Sequence, residues 1–84
     1  MILYEWTPPA EEQLRKLPLA IQRRIVHKLE WYFATPDPLH FAEPLVGQEG
    51  KAYRFRITVY RVAFEVVKGK ILITKVGHRR DVYR

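Results

Sequence analysis

The chain is predicted to fold as an α+β domain: an N-terminal strand, a helical hairpin, then a three- to four-stranded, mostly antiparallel sheet. Three observations predict this. The run Ala52-Tyr-Arg-Phe-Arg-Ile-Thr-Val-Tyr-Arg-Val-Ala-Phe-Glu-Val66 alternates with the two-residue period of strands. The stretch between Pro8 and Ala34 carries the wider apolar stripe of helices, interrupted by Pro18. A length of 84 residues suits one small domain, with no repeat, linker or low-complexity tract to divide it.

Ile2-Leu-Tyr-Glu-Trp6 is short, β-branched and aromatic, as a first strand should be. Thr7 then offers a hydroxyl N-cap, Pro8 and Pro9 suit a first turn, and Glu11 and Glu12 sit near the positive end of the helix dipole. Ala10, Leu14 and Leu17 fall on one face before Pro18 ends this helix. The next helix is expected from about Leu19 to Ala34. Ile21, Ile25, Val26, Leu29, Tyr32 and Phe33 form its apolar face, and Gln22, Arg23, Arg24, His27, Lys28 and Glu30 its solvated one. Thr35-Pro-Asp-Pro38 stops it, and a loop runs to Gly50 with at most a short strand near Pro44 to Val46.

Within the alternating run, Tyr53, Phe55, Ile57 and Val59 share one parity, whereas beyond Tyr60 the apolar set is Val62, Phe64 and Val66. Such a shift requires a turn or bulge near Thr58 to Tyr60, although no Gly, Asn or Asp marks it. Lys68-Gly69 is a stronger hairpin signal, because glycine accepts the positive φ of tight hairpin turns. Lys70 to Val76 returns as a further strand, and the sheet is expected to continue to Tyr83. The helical hairpin would cover one face of this sheet, leaving Arg54, Arg56, Arg61 and Arg79 on the other.

Composition narrows the function classes. Hydrophobic residues make up 48% and aromatics 13%, which is globular rather than disordered. No apolar run approaches the roughly 18 residues of a membrane span, and Met1-Ile-Leu-Tyr-Glu5 lacks the pattern of a signal peptide. With no cysteine there is no disulfide framework and no thiolate metal site, so an intracellular, cytoplasmic protein is expected. The net charge of +6 is uneven: residues 1–50 hold five Lys/Arg against seven Asp/Glu, residues 51–84 ten against two. A localised cationic field favours a polyanion or an acidic protein partner.

The cationic stretch also carries the candidate chemistry. An arginine guanidinium keeps its charge and grips a phosphate through two hydrogen bonds. Arginines on adjacent strands would therefore neutralise charge developing on a scissile phosphate, a role worth about 3 to 4 kcal/mol for one well-placed donor. They are poor general bases, since their pKa lies above about 12. The base must be another residue, and His78 and Tyr83 are the candidates. Each has a structural alternative: a histidine after glycine fixes a turn, and a near-terminal tyrosine covers the core edge. Lys51 and Arg80 extend the basic set toward substrate binding. His27, His40 and His78 lack metal-ligand spacing, no Gly-rich phosphate loop is present, and no cofactor is expected. Glu65 and Asp81, set among cations, are expected to orient arginines through salt bridges.

Three motifs carry a family resemblance: Ala52-Tyr-Arg-Phe-Arg-Ile57, Tyr60-Arg-Val-Ala-Phe-Glu-Val66 and Val76-Gly-His-Arg-Arg-Asp-Val-Tyr83. With the early helical hairpin and Leu45-Val-Gly47, they make nearly the whole chain resemble the RelE/ParE superfamily of type II toxin–antitoxin toxins, on its RelE side. The resemblance implies a microbial RNase-like fold and metal-independent cleavage of messenger RNA in the ribosomal A site, by attack of the 2′-hydroxyl. It implies phosphate binding by Arg61, stabilisation or protonation of the leaving group by Arg79, and substrate stacking or base catalysis by Tyr83. Arg54 and Arg56 stand where other members often carry lysine, which shifts the base role to Tyr83 with His78 in reserve. A cognate antitoxin is the implied partner, with an acidic segment covering the cationic surface. The chain lacks the C-terminal helix of some members. The alternatives are a ParE-like inhibitor of DNA gyrase and a catalytically silent nucleic-acid-binding module.

Overall fold

The computed structural model describes residues 3–45 and 51–82, the last two by backbone alone. The chain runs β1 (Tyr4–Trp6), α1 (Pro8–Arg15), α2 (Leu19–Ala34), a 3-10 turn (Pro38–Phe41) and β2 (Glu43–Pro44). β3 (Ala52–Ile57), β4 (Tyr60–Val67), β5 (Lys70–His78) and a single helical turn, α3 (Arg79–Val82), follow. The five strands form one sheet in the order β1-β5-β4-β3-β2. β1 lies parallel to β5, and the other ladders are antiparallel. The α+β architecture is the one expected.

The two helices come from the predicted signals, with one reassignment. Thr7 does occupy the N-cap position of α1, yet its side chain makes no capping bond. Its hydroxyl donates instead to the Ile73 carbonyl at 2.8 Å, beside its own backbone N–H at 3.0 Å, and so ties the start of α1 to the sheet. At the other end, Gln22 is no solvated bystander. Its amide donates to the Leu17 carbonyl at 2.8 Å and the Arg15 carbonyl at 3.2 Å, supplying donors that the last turn of α1 lacks.

α2 lays Ile25, Leu29, Tyr32 and Phe33 on the sheet, where they meet Phe55, Val62, Phe64, Ile71 and Ile73 in one core. Tyr32 stacks on Phe55 at 4.4 Å, Phe55 on Phe64 at 4.7 Å, and Phe33 packs against Tyr4 at 4.5 Å. Each fully buried large apolar side chain contributes about 1.5–3 kcal/mol, so these rings dominate a small core. Ile25 through Phe33 thereby fixes which face of the sheet is covered.

Both expected turns are present. β3 and β4 join through Thr58 and Val59, with Thr58 at φ +56°, a left-handed conformation unusual for a β-branched residue. β4 and β5 join through Lys68 (φ +51°) and Gly69 (φ +77°), matching the paired positive φ angles of a hairpin turn.

The strands contain one irregularity that alternation along β3 and β4 does not reveal. Ala63 opposes Lys75 but Phe64 opposes Ile73, so Thr74 is an extra residue in β5. The bulge reverses parity: Ile71 and Ile73 before it and Val76 after it all reach the core. The sheet also ends earlier than expected. The backbone leaves strand geometry after His78, and residues 79–82 make the helical turn α3 in place of a strand running to Tyr83. Tyr83 itself, and Val46 of the predicted short strand, lie outside the described residues.

Candidate nucleic-acid interface

Register places the arginines. Ala52, Arg54 and Arg56 project from β3 on the side away from the helices, and Arg56 lies directly opposite Arg61 of β4. Like charges so placed repel, and each arginine is drawn to a different anchor. Arg61 is buried, with 7% of its surface exposed, and its Nη1 donates to the carbonyls of Tyr60 at 2.9 Å and Thr58 at 3.0 Å. Its Nε, also buried, finds no acceptor among the described residues. A buried charged donor left in that state is costly, and it favours an incoming acceptor.

Arg56 turns the other way, to Glu43 on the edge strand β2. Its Nε pairs with Glu43 Oε1 and its Nη2 donates to Oε2 at 3.2 Å. The same Oε2 lies 3.5 Å from Arg54 Nη2. Glu43 faces Arg54 across the β2–β3 ladder, which explains why one carboxylate reaches both. Glu65, expected with Asp81 to orient the arginines, does not take this place among the described residues. Glu65 enters no ion pair among the described residues, because it faces Ala52 and Leu72 across its two ladders. The Asp81 side chain lies outside them.

The turn at Thr58–Val59 is the common anchor of the site. It holds Arg61 through the Thr58 carbonyl, and the Val59 carbonyl accepts the backbone N–H of Arg79 at 2.8 Å. Arg79 and Arg80 are exposed on α3. The structure therefore brings Arg54, Arg56 and Arg61 onto one face and roots Arg79 at the turn beside them. It does not bring the others there. His78 opposes Tyr60, ring centroids 6.1 Å apart, on the helix-bearing side of the sheet, and its Nδ1 accepts the Arg80 N–H at 3.3 Å. Lys51 is exposed beyond the opposite end of β3. Tyr83 lies outside the described residues.

A second basic feature is a groove of about 560 Å³ between α2 and the end of β3, lined by Arg23, Arg24, His27, Lys28 and Arg56 among others. The solvated face expected for α2 is thus its wall. Lys28 also lies 4.8 Å over the Trp31 ring. Among the described residues, no group of three or more His, Asp or Glu side chains gathers as a metal site requires. No helix of the described residues is long and apolar enough to cross a membrane.

With this fold and basic face established, comparison with known proteins becomes informative. A family model described as the ParE toxin of the type II toxin–antitoxin system parDE matches residues 4–83. The chain belongs to this toxin family, within the RelE/ParE superfamily. No curated protein matches the toxin by sequence. Solved structures do match its fold. A chain of the RelBE2 toxin–antitoxin complex of Mycobacterium tuberculosis is 24% identical, with a TM-score of 0.75 over 93% of the toxin and 98% of that chain. A chain of the RelB–RelE complex of Methanococcus jannaschii is also 24% identical, with a TM-score of 0.73 over 98% and 95%. A chain of the intact Escherichia coli RelBE complex is 20% identical, with a TM-score of 0.74 over 93% and 96%. The protein is a type II toxin of RelE/ParE type.

Proposed function

We propose that this toxin is an endoribonuclease that cuts messenger RNA in the ribosomal A site, without a metal, by attack of a 2′-hydroxyl on the adjacent phosphate. The observation that carries the reading is Arg61: a guanidinium held by turn carbonyls, with a buried Nε lacking an acceptor, on the face that also bears Arg54 and Arg56. The arginine neutralises the charge that builds up on a phosphate at that face as the 2′-oxygen bonds to phosphorus. Tyr83 takes the 2′-hydroxyl proton, with His78 in reserve, and Arg79 stabilises the departing 5′-oxygen, which takes up a proton from water as the P–O5′ bond breaks. The products are a 2′,3′-cyclic phosphate and a 5′-hydroxyl end. Arg54, Arg56, Arg80 and Lys51 hold flanking phosphates. In this reading the toxin works in the cytoplasm, and a cognate antitoxin silences it by laying an acidic segment over the cationic face; the similar solved chains come from toxin–antitoxin complexes.

The test is primer extension on purified translating ribosomes, with and without chelator. The reading expects new message ends at the A site that survive chelation and vanish in the Arg61→Ala, Arg79→Ala double variant. Because Arg61 is buried and bonded to the turn, Arg79→Ala alone provides the check that is least exposed to misfolding. Uncut message with folded protein overturns the reading.

The family match supports a second reading, inhibition of DNA gyrase by binding, since the matching model is described as a ParE toxin. Loss of supercoiling activity with intact message would select it. Binding of RNA with neither effect would leave a silent binding module.

A further inference from the structure

Arg54, Arg56 and Arg61 crowd three positive charges onto adjacent positions of two strands, and among the described residues Glu43 is the carboxylate that meets two of them. Its placement resembles that of a ligand. Two carboxylate oxygens meet three guanidinium nitrogens, Oε1 on Arg56 Nε and Oε2 on both Arg56 Nη2 and Arg54 Nη2. This is the fork geometry by which arginines also hold phosphate.

The surroundings make the contact exchangeable. The Glu43 and Arg56 side chains are 40% and 57% exposed, so water screens the pair and weakens it. Arg54, at 15%, is held more firmly in place. Glu43 sits on a two-residue edge strand, and rotation of its side chain alone ends its own contacts with both arginines without breaking the β2–β3 ladder.

We propose that Glu43 is an internal stand-in for a nucleic-acid phosphate: in the free toxin its carboxylate occupies the Arg54–Arg56 pair, and a phosphodiester binds there by displacing it. This rests on the proposed function only in taking Arg54 and Arg56 as phosphate contacts. Glu43 is a positioning residue that acts through the two arginines. It keeps them extended and apart from Arg61, and it lowers their affinity for polyanions other than a correctly seated strand.

The experiment measures binding of a short single-stranded 2′-O-methyl RNA, which cannot be cleaved by 2′-hydroxyl attack, across a salt series. It compares wild type with Glu43→Gln, Glu43→Ala, Glu65→Gln and the Arg54→Ala, Arg56→Ala double variant. Glu65 is on the same side of the sheet but pairs with no arginine among the described residues, so it controls for a general change of charge. Removing the Glu43 charge is expected to tighten binding about two- to fivefold, the scale of an exposed ion pair. The dependence of log K on log salt should keep its slope, because the same phosphate is neutralised in wild type and variant. Glu65→Gln should tighten binding by less. Equal effects of Glu65→Gln and Glu43→Gln would reduce the result to net charge and overturn the proposal. Weaker binding by both Glu43 variants would also overturn it, making the carboxylate a support. If the double-arginine variant binds as wild type does, the error lies in the reading of Arg54 and Arg56 as phosphate contacts, and the proposal falls with it.

Discussion

Gln13 on α1 holds the backbone of Val76 on β5: its side-chain Oε1 accepts the Val76 N–H at 2.8 Å. Among the described residues β1 pairs with β5 from Ile71 to Ile73, and beyond the Thr74 bulge no strand lies on that side of β5 to receive its donors. The helix supplies the acceptor instead. The contact stabilises the segment that leads through Gly77 and His78 to Arg79.

Gln13→Ala is therefore expected to cost about 1–3 kcal/mol, the penalty for leaving a buried backbone donor without a partner. Urea denaturation measures it. Gln13→Glu, which retains the acceptor, should recover most of the loss, whereas equal losses in both variants would mean that packing rather than the hydrogen bond matters.

Thr58→Asn should raise stability by about 1 kcal/mol, because Thr58 sits at φ +56° and asparagine tolerates the left-handed region better. The carbonyl that receives Arg61 is main chain and survives the change. A thermal melt of the variant provides the check, and a lower midpoint would show that the threonine hydroxyl or methyl stabilises the turn.

At the other hairpin, a Cβ on Gly69 would meet no atom within 4 Å, so substitution there costs only what φ +77° imposes. Gly69→Ala is expected to lose about 1–2 kcal/mol and Gly69→Asn less. Equal midpoints for the two variants in chemical denaturation would contradict this ranking.

Alkaline pH should weaken the fold. Burial lifts the Tyr32 phenol above its ordinary value of 10.0, and burial followed by the charge of Glu30 does the same to Tyr4. Above pH 10 the unfolded chain gives up these protons while the native chain retains them. The stabilisation is thus complete below 10 and is lost as pH rises through the folded values. The urea midpoint should fall over this range, with a shallower fall in Tyr32→Phe, which removes one of the two groups. An unchanged slope would exclude Tyr32 as a source.

Much of the fold was legible in the sequence because its signals are local. Pro8, Pro9 and Pro18 bracket α1, the stripe from Ile25 to Phe33 marks α2, and the parity change after Ile57 marks a turn even though no glycine announces it. What escaped depends on register. The Thr74 bulge alters only which residues of β5 face inward, and Gln13 and Gln22 find partners in other elements. Glu43 stands beside the predicted short strand, but its opposition to Arg54 follows from a pairing that no local pattern encodes. Thr7 showed the converse: a correct N-cap position whose hydroxyl was captured by a nearer sheet carbonyl. At the site, the arginines on β3 and β4 were legible from alternation. The separation of His78 from them was not, because the bulge upstream decides the side on which it emerges.

The strand order has a temporal consequence. β5 lies between β1 and β4, and it is synthesised after both of them. Until it emerges, β1 has no neighbour, Thr7 has no carbonyl to bind, and the apolar stripe of α2 has only part of its floor. The Thr7–Ile73 contact spans 66 residues, a closure typical of slowly folding topologies. A copy translated only as far as β4 therefore holds Arg54, Arg56 and Arg61 on a hairpin whose core is incomplete, and the core closes when β5 emerges.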